Sequence, residues 1–131
     1  MGDEKPKKRI LIIEDEEDTS KVIMAVLSRS GYYAEIALNG EEALEKVSLN
    51  NFDLFFLDVS LPGMSGLEVY RHIKSIFPGA KMCIMTGWSK GFDAQRDEYL
   101  SLVREGALDK MLRKPFGHGG VLAVAKSILG G

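Results

Sequence analysis

Short apolar runs alternate with longer segments of helical period along this chain. The first run, residues 10–13, is continuous and rich in β-branched residues, which is typical of a strand buried on both faces. In the segment that follows, apolar residues recur at helical spacing until Gly31, a natural helix end. The two patterns occur in turn five times, and therefore predict five strands and five helices. The predicted strands are 10–13, 33–38, 54–57, 82–85 and 110–112, and the predicted helices are 21–30, 40–50, 66–77, 92–105 and 120–129.

Two of the predicted helices have a clear start signal. Asn39 is followed three residues later by Glu42, and Ser65 by Glu68, which is the spacing of a capping box. The fifth strand is short and charged, so we place it at the edge of the sheet. Alternating strands and helices with short connections predict a parallel sheet covered by helices on both faces. We expect one α/β domain over residues 9–131, preceded by a flexible tail at 1–8.

Composition narrows the class of protein. The 131 residues are 45% hydrophobic and 27% charged, as in an ordinary globular domain, and the formal charge is 17 minus 19, or -2. This charge gives no reason to expect nucleic-acid binding, and the short basic run at 5–9 is better explained as a solvated tail. The polar N-terminus does not resemble a signal peptide, and no apolar stretch is long enough to span a membrane. Cys83 is the only cysteine, so an internal disulfide is excluded and a reducing cytoplasm is expected.

Polar side chains follow four of the predicted strands. They are Glu14 and Asp15 after the first strand, Asp58 after the third, Thr86 after the fourth and Lys114 after the fifth. Because ligands bind at the carboxyl ends of strands in such sheets, one crevice would hold three carboxylates, a hydroxyl and an ammonium group. Two carboxylates about 5 Å apart repel by roughly 3 kcal/mol at an effective dielectric of 20. A divalent cation relieves that repulsion, and oxygen ligands with room for water suit Mg²⁺.

Taken singly, each of these carboxylates could merely cap a helix or face solvent. The whole set, at the same end of different strands, indicates a functional site. In order and spacing, the segments around these residues strongly resemble the receiver domain of bacterial response regulators, from about residue 9 to residue 129. The segments that carry the resemblance are 10–16, 53–64, 65–68, 85–87 and 106–116. The resemblance implies a flavodoxin-like five-stranded parallel sheet with strand order 2-1-3-4-5.

The resemblance also implies a phosphoacceptor and a metal site. Asp58 matches the aspartate whose carboxylate attacks the phosphorus of a phosphohistidine or a small phosphodonor, giving an acyl phosphate. Asp15 is expected to bind Mg²⁺ directly and Glu14 through a water molecule. The backbone carbonyl of Ser60 is expected to supply a further ligand, beside Asp58 itself.

Three more residues match positions that stabilise the phosphoryl group. Thr86 is expected to donate its hydroxyl to a phosphoryl oxygen, and Gly87 to leave access to the phosphate. Lys114 is expected to pair with Asp58 before transfer and with the phosphoryl group afterwards. The bond before Pro115 is a candidate cis peptide, because only an X-Pro bond tolerates that form cheaply.

Three features depart from the family pattern. The position three residues before Lys114 is usually Tyr or Phe, but here it is Met111. The segment from Thr86 to Lys114 is longer than usual, and Trp88 borders the site. We expect Thr86 to move toward the phosphoryl group, Met111 to refill the space it leaves, and the Trp88 segment with the fourth helix to carry the signal. The alternative is that Trp88 is a fixed packing residue and Met111 is part of the core.

The partners implied are a sensor histidine kinase or a histidine phosphotransfer protein, and an unknown downstream protein target. From the charge and the lack of a long apolar stretch, we expect this chain to bind neither nucleic acid nor membrane. The resemblance implies that it is not a turnover enzyme on an external substrate. Two other functions were weighed. A haloacid-dehalogenase-like phosphatase needs a second aspartate two residues after the nucleophile, where this chain has Ser60. A degenerate receiver that only docks partners, independently of phosphorylation, remains open.

Overall fold

The computed structural model of the chain describes residues 7–87, 92–106, 109–114 and 117–130, with only the backbone described at 92–96 and 118. Strands and helices alternate in this part of the chain, as the sequence predicts. The strands are β1 Arg9–Ile13, β2 Tyr33–Ala37, β3 Leu54–Asp58, β4 Lys81–Thr86 and β5 Lys110–Arg113. The helices are α1 Glu17–Arg29, α2 Gly40–Leu49, α3 Gly66–Ile76, α4 Phe92–Arg104 and α5 His118–Leu129.

All neighbouring strands run parallel, and their order is β2-β1-β3-β4-β5. The predicted fold class is therefore confirmed, including the position of β5 at the edge. The central strand β3 is buried at every residue, which explains why its sequence is a continuous apolar run up to Asp58.

The two faces of the sheet form separate hydrophobic clusters. Side chains alternate along β1, so Leu11 joins the cluster covered by α2, α3 and α4, while Ile12 joins the cluster covered by α1 and α5. Cys83 lies in the second cluster, and burial there raises the pKa of its thiol to about 12. A buried thiol with a raised pKa forms little of the reactive thiolate, so Cys83 is a packing residue of the core.

Both predicted capping residues act as caps. The backbone N–H of Glu42 donates to Asn39 Oδ1 at 2.8 Å, and the backbone N–H of Glu68 donates to Ser65 Oγ at 3.2 Å. These bonds satisfy N–H groups that the first turn of a helix leaves without an intrahelical partner. They set the starts of α2 and α3, the helix that follows Asp58 in the chain.

Two helices begin earlier than their apolar pattern indicates. Helix α1 begins at Glu17 rather than at residue 21, and its first two residues, Glu17 and Asp18, are acidic and exposed, which suits the positive end of the helix dipole. Helix α5 begins at His118 rather than at residue 120. Hydrophobic periodicity detects only the turns that pack on the sheet, so a polar first turn is missed.

Several expectations concern residues outside the described part of the chain. Of the predicted tail, residues 7 and 8 are exposed, and 1–6 lie outside the described residues. Trp88 and the bond before Pro115 also lie outside them. Among the helices that are described, none is long and apolar enough to cross a membrane.

Candidate functional site

The chemically active side chains lie where the parallel strands end. Glu14 and Asp15 directly follow β1, Asp58 is the last residue of β3, and Thr86 is the last residue of β4. Lys114 directly follows β5 and is held beside β4, because its backbone N–H donates to the Thr86 carbonyl at 2.6 Å. The sheet therefore brings together at one edge five residues from four segments that are far apart in the sequence.

Three carboxylates form an acidic cluster at this edge. One carboxyl oxygen of each of these residues, Glu14, Asp15 and Asp58, lies within 4.8 Å of the other two. Glu14 and Asp58 are buried, with 0% and 4% exposure, whereas Asp15 is exposed. Three hard oxygen donors with one side open to water are the ligand set that Mg²⁺ prefers. The residues present thus fit the metal that the sequence predicts.

The loop after β3 begins with a turn at the acidic cluster. The backbone N–H of Ser60 donates to Asp58 Oδ1 at 2.9 Å, so the residue predicted to supply a carbonyl ligand is held next to the Asp58 carboxylate. Ser60 itself is exposed. Its carbonyl ligation stays a prediction.

Lys114 neutralises part of the acidic cluster. Its Nζ lies 3.2 Å from Asp58 Oδ2, which is the pairing expected before transfer, and it also pairs with Glu14. A third contact, 3.2 Å to Glu16 Oε1, was missed by the sequence analysis. The available signal was that Glu16 continues the acidic run after β1. Lys114 is thus shared by three carboxylates, of which Glu16 is the most exposed.

Burial and charge act in opposite directions on the groups of this cluster. Burial, followed by the nearby Asp58, raises the pKa of Glu14, while Lys114 opposes that shift. Burial lowers the pKa of Lys114, but the hydrogen bond to Glu14 and the charges of Asp58 and Glu14 outweigh it, so the pKa lies above its usual value. The single positive charge of Lys114 therefore cannot neutralise all the carboxylates around it. This imbalance favours binding of a further cation.

The Thr86 side chain has an unsatisfied hydroxyl. Among the described residues, Thr86 Oγ1 is the one buried side-chain nitrogen or oxygen without a hydrogen-bond partner, and the residue is 2% exposed. A buried polar group without a partner costs about 1–3 kcal/mol, and such groups are rare in folded proteins. This hydroxyl lies at the same edge as Asp58, so an oxyanion bound there would supply the missing acceptor.

The remaining candidate residues differ in how they relate to the site. Gly87 lies against Lys114, because a Cβ on Gly87 would be 3.7 Å from Lys114 Cδ. Met111 pairs in register with Ile84 and is 41% exposed, so the alternative that it is plain core is wrong. Met111 lies on the edge strand β5, which has a neighbouring strand on one side only. The role of Trp88 stays a prediction, since that residue lies outside the described part of the chain.

Comparison with known proteins identifies the family. The sequence matches the model of the response regulator receiver domain over residues 10–125. It is 37% identical over 125 residues to the alkaline phosphatase synthesis transcriptional regulatory protein PhoP of Bacillus subtilis, which covers 93% of this chain and 48% of that protein. It is 33% identical over 104 residues to the transcriptional regulatory protein ZraR of Klebsiella oxytoca, which covers 79% of this chain and 22% of that protein. The chain thus spans about half or less of these relatives.

Solved structures agree with this result. A CheY-like receiver domain protein from Methanospirillum hungatei superposes with a TM-score of 0.82 at 27% identity, covering 93% of each chain. The response regulator TrrA from Thermotoga maritima, solved in complex with Mg²⁺ and BeF, superposes with a TM-score of 0.75 at 33% identity, covering 92% of this chain and 98% of that one. The chain belongs to the response regulator receiver domain family of two-component signalling. Proteins of this family are phosphoacceptors whose phosphorylation switches their contacts.

Proposed function

We propose that this chain accepts a phosphoryl group on Asp58 in a Mg²⁺-dependent reaction and thereby switches its binding to a protein partner. The observation that carries the proposal is the Asp58 carboxylate itself, which is buried at the end of the central strand and paired with the Lys114 ammonium. The Thr86 hydroxyl, which has no partner among the described residues, lies at the same end of the sheet. Membership in the receiver family supports it.

The groups at the site are suited to the transfer step. A carboxylate oxygen of Asp58 attacks the phosphorus of a phosphohistidine, an O–P bond forms, and the P–N bond breaks with its electron pair returning to the imidazole. The Lys114 ammonium, now 3.2 Å from Asp58 Oδ2, pairs with the transferred group. The Thr86 hydroxyl donates to one of its oxygens. Both contacts stabilise charge that is spread over the phosphoryl oxygens during transfer.

The acidic cluster is the proposed metal site. Asp15, the exposed member, is proposed to bind Mg²⁺ directly, and the buried Glu14 through water, with Asp58 and the Ser60 carbonyl completing the protein ligands. When bound, Mg²⁺ neutralises negative charge on the transferring phosphoryl group. Glu14 also holds Lys114, so its carboxylate has a positioning role besides any role toward the metal.

The proposed phosphodonor is a sensor histidine kinase or a histidine phosphotransfer protein, and the proposed output is contact with a downstream protein. The proposed domain occupies residues 9–131, and the proposed location is the cytoplasm. The curated relatives carry the name of transcriptional regulators, which is a statement about those proteins. We propose that this chain itself binds no nucleic acid and no membrane, and does not turn over an external substrate.

The test is to weigh the intact protein after incubation with acetyl phosphate and Mg²⁺. Wild type should gain the mass of one phosphoryl group, and Asp58→Asn should gain none, because the amide is not a nucleophile. Asp53→Asn is the matched control, since Asp53 is an exposed aspartate just before the same strand, bonded to the Arg9 backbone N–H at 2.8 Å. Asp53→Asn should gain phosphate like wild type.

Equal uptake by Asp58→Asn and wild type would refute the assignment of the acceptor. If wild type took up no phosphate from acetyl phosphate or from a phosphorylated kinase, the chain would be a degenerate receiver that docks partners independently of phosphorylation.

A further inference from the structure

A carboxylate on α4 caps the N-terminus of α3. Glu98 Oε1 accepts a hydrogen bond from the backbone N–H of Leu67 at 3.1 Å, across 31 positions of sequence. The first turn of α3 therefore has two caps from different sources: Ser65 from its own chain segment, and Glu98 from the neighbouring helix.

Gly66 is the point where this contact meets the phosphorylation site. A Cβ on Gly66 would lie 3.2 Å from Glu98 Oε1, and 3.5 Å and 3.6 Å from the carbonyl oxygens of Asp58 and Val59. The glycine leaves the space in which the Glu98 carboxylate approaches the backbone of the residue that is proposed to be phosphorylated. Gly66 is therefore adjacent both to the Glu98 carboxylate and to the backbone of Asp58.

The Glu98 carboxylate responds to the charge of Asp58. Burial raises the pKa of Glu98, hydrogen bonding to the backbone at the start of α3 lowers it, and the negative charges of Asp58 and Glu68 raise it further. The contact between Glu98 and the Leu67 N–H is thus strongest when the negative charge near Asp58 is smallest. An acyl phosphate carries about one more negative charge than the carboxylate it replaces.

The other end of α4 is attached to α3 independently. Arg71 forms a bidentate pair with Glu105, and the Tyr70 hydroxyl donates to the Glu105 carbonyl at 3.1 Å. Loss of the Glu98 contact would therefore detach α4 from the N-terminus of α3, while the end near Glu105 and the core packing of Leu102 stay in place.

We infer that Glu98 is a phosphorylation-sensitive latch, which holds α4 against the N-terminus of α3 in the unphosphorylated protein and is released when Asp58 acquires a phosphoryl group. This inference rests on the proposed function of Asp58. Its physical basis is repulsion between the added negative charge and the Glu98 carboxylate, which competes with the hydrogen bond from the Leu67 N–H at the helix N-terminus. Binding and release are reciprocal, so a protein without the latch charge binds a phosphoryl mimic more tightly.

The first measurement is the affinity for beryllofluoride in the presence of Mg²⁺. Glu98→Gln keeps an acceptor oxygen for the Leu67 N–H but removes the charge, and it should bind beryllofluoride about fivefold more tightly than wild type. The matched control is Asp97→Asn, which removes the same charge from the adjacent, exposed position of α4 and should leave the affinity within about twofold of wild type.

The second measurement separates a latch from a merely structural contact. Amide exchange at Leu67, read by NMR, should become several-fold faster when beryllofluoride is added to wild type that is already saturated with Mg²⁺, because the charge of the cation is then the same in both states. Exchange at Glu68, whose N–H is capped by Ser65 Oγ in the same helix, should change little. In Glu98→Gln the response at Leu67 should be much smaller.

The outcomes distinguish this inference from the proposed function. If beryllofluoride binds at Asp58 but the Leu67 and Glu68 amides respond alike, or if Glu98→Gln and Asp97→Asn have equal affinities, the latch is refuted and the phosphoacceptor role stands. If acetyl phosphate and beryllofluoride both fail to modify wild-type Asp58, the proposed function and the latch are refuted together.

Discussion

At the scale of single residues, Thr86 shows how a functional group can lower stability. Its hydroxyl is buried at the end of β4 without a partner, while its backbone carbonyl accepts from Lys114. A core position would be better filled by an apolar side chain of the same shape, since no residue that the structure describes satisfies the hydroxyl. The residue is therefore suited to an oxyanion that is present only after phosphorylation.

This argument predicts opposite effects of Thr86→Val on stability and on function. Removing the unsatisfied hydroxyl should raise the free energy of unfolding in urea by about 1 kcal/mol. The affinity for beryllofluoride with Mg²⁺ should fall about tenfold, because a hydrogen bond to a charged group is lost. Thr86→Ser is the control, since it keeps the hydroxyl and should keep most of the affinity. A valine variant that is less stable than wild type would contradict the account.

Glu14 and Lys114 show which property of single residues the sequence does not predict. Each was predicted for the site, but their mutual pairing and the contact with Glu16 depend on where three side chains end after the sheet has formed. The residue types could be read from the sequence, whereas the sharing of one ammonium group among three carboxylates could not.

At the scale of elements, the start of α2 packs closely on α3. Asn39 caps α2, and Gly40, its first residue, is buried. A Cβ on Gly40 would lie 2.7 Å from Val69 Cγ2 and 2.9 Å from Met64 Cβ, both shorter than normal contacts. The absence of a side chain at Gly40 thus allows α2 to approach the helix that follows the Asp58 loop.

Gly40→Ala should therefore destabilise the protein. Overpacking of this kind typically costs about 1–3 kcal/mol, which exceeds the helix propensity gained by alanine. Gly119→Ala in α5 is the matched control: a Cβ there meets nothing within 4 Å, so it should raise the free energy of unfolding by up to about 1 kcal/mol. Urea unfolding measures both. If the two variants changed stability in the same direction, the packing argument would be wrong.

At the scale of the whole molecule, the parallel sheet determines that the site exists. Every strand runs in the same direction, so all carboxyl ends meet at one edge, and β1 and β3 are neighbours although α1, β2 and α2 separate them in sequence. The carboxylates of Glu14, Asp15 and Asp58 lie close together only in the folded state. A cation that binds the cluster must therefore stabilise the fold.

Mg²⁺ should accordingly raise the free energy of unfolding, by an amount that grows with the logarithm of its concentration and is on the order of 1–3 kcal/mol at about 10 to 100 times its Kd. Asp15→Asn should lose most of this increase, because it removes a direct anionic ligand. Glu14→Gln should lose less, since its proposed contact runs through water. The measurement is urea unfolding with Mg²⁺ or with EDTA. A larger loss for Glu14→Gln than for Asp15→Asn would reverse the proposed roles.

The sequence by itself determined the alternation of strands and helices, the caps at Asn39 and Ser65, the burial of β3 and the set of chemically active residues at strand ends. These features follow from local periodicity and from residue chemistry, which act over a few positions of the chain. The strand order 2-1-3-4-5 followed from the family resemblance rather than from the residues alone.

Only the tertiary structure decided which side chains share a partner. The latch between Glu98 and Leu67 spans 31 positions, and the contact between Lys114 and Glu16 spans 98, so neither leaves a local pattern in the sequence. The exposure of Met111 was also decided by the fold, because an edge strand lacks the neighbour that would cover it. Long polar side chains choose among several partners of similar energy, and that choice depends on the distances that packing of the sheet and helices establishes.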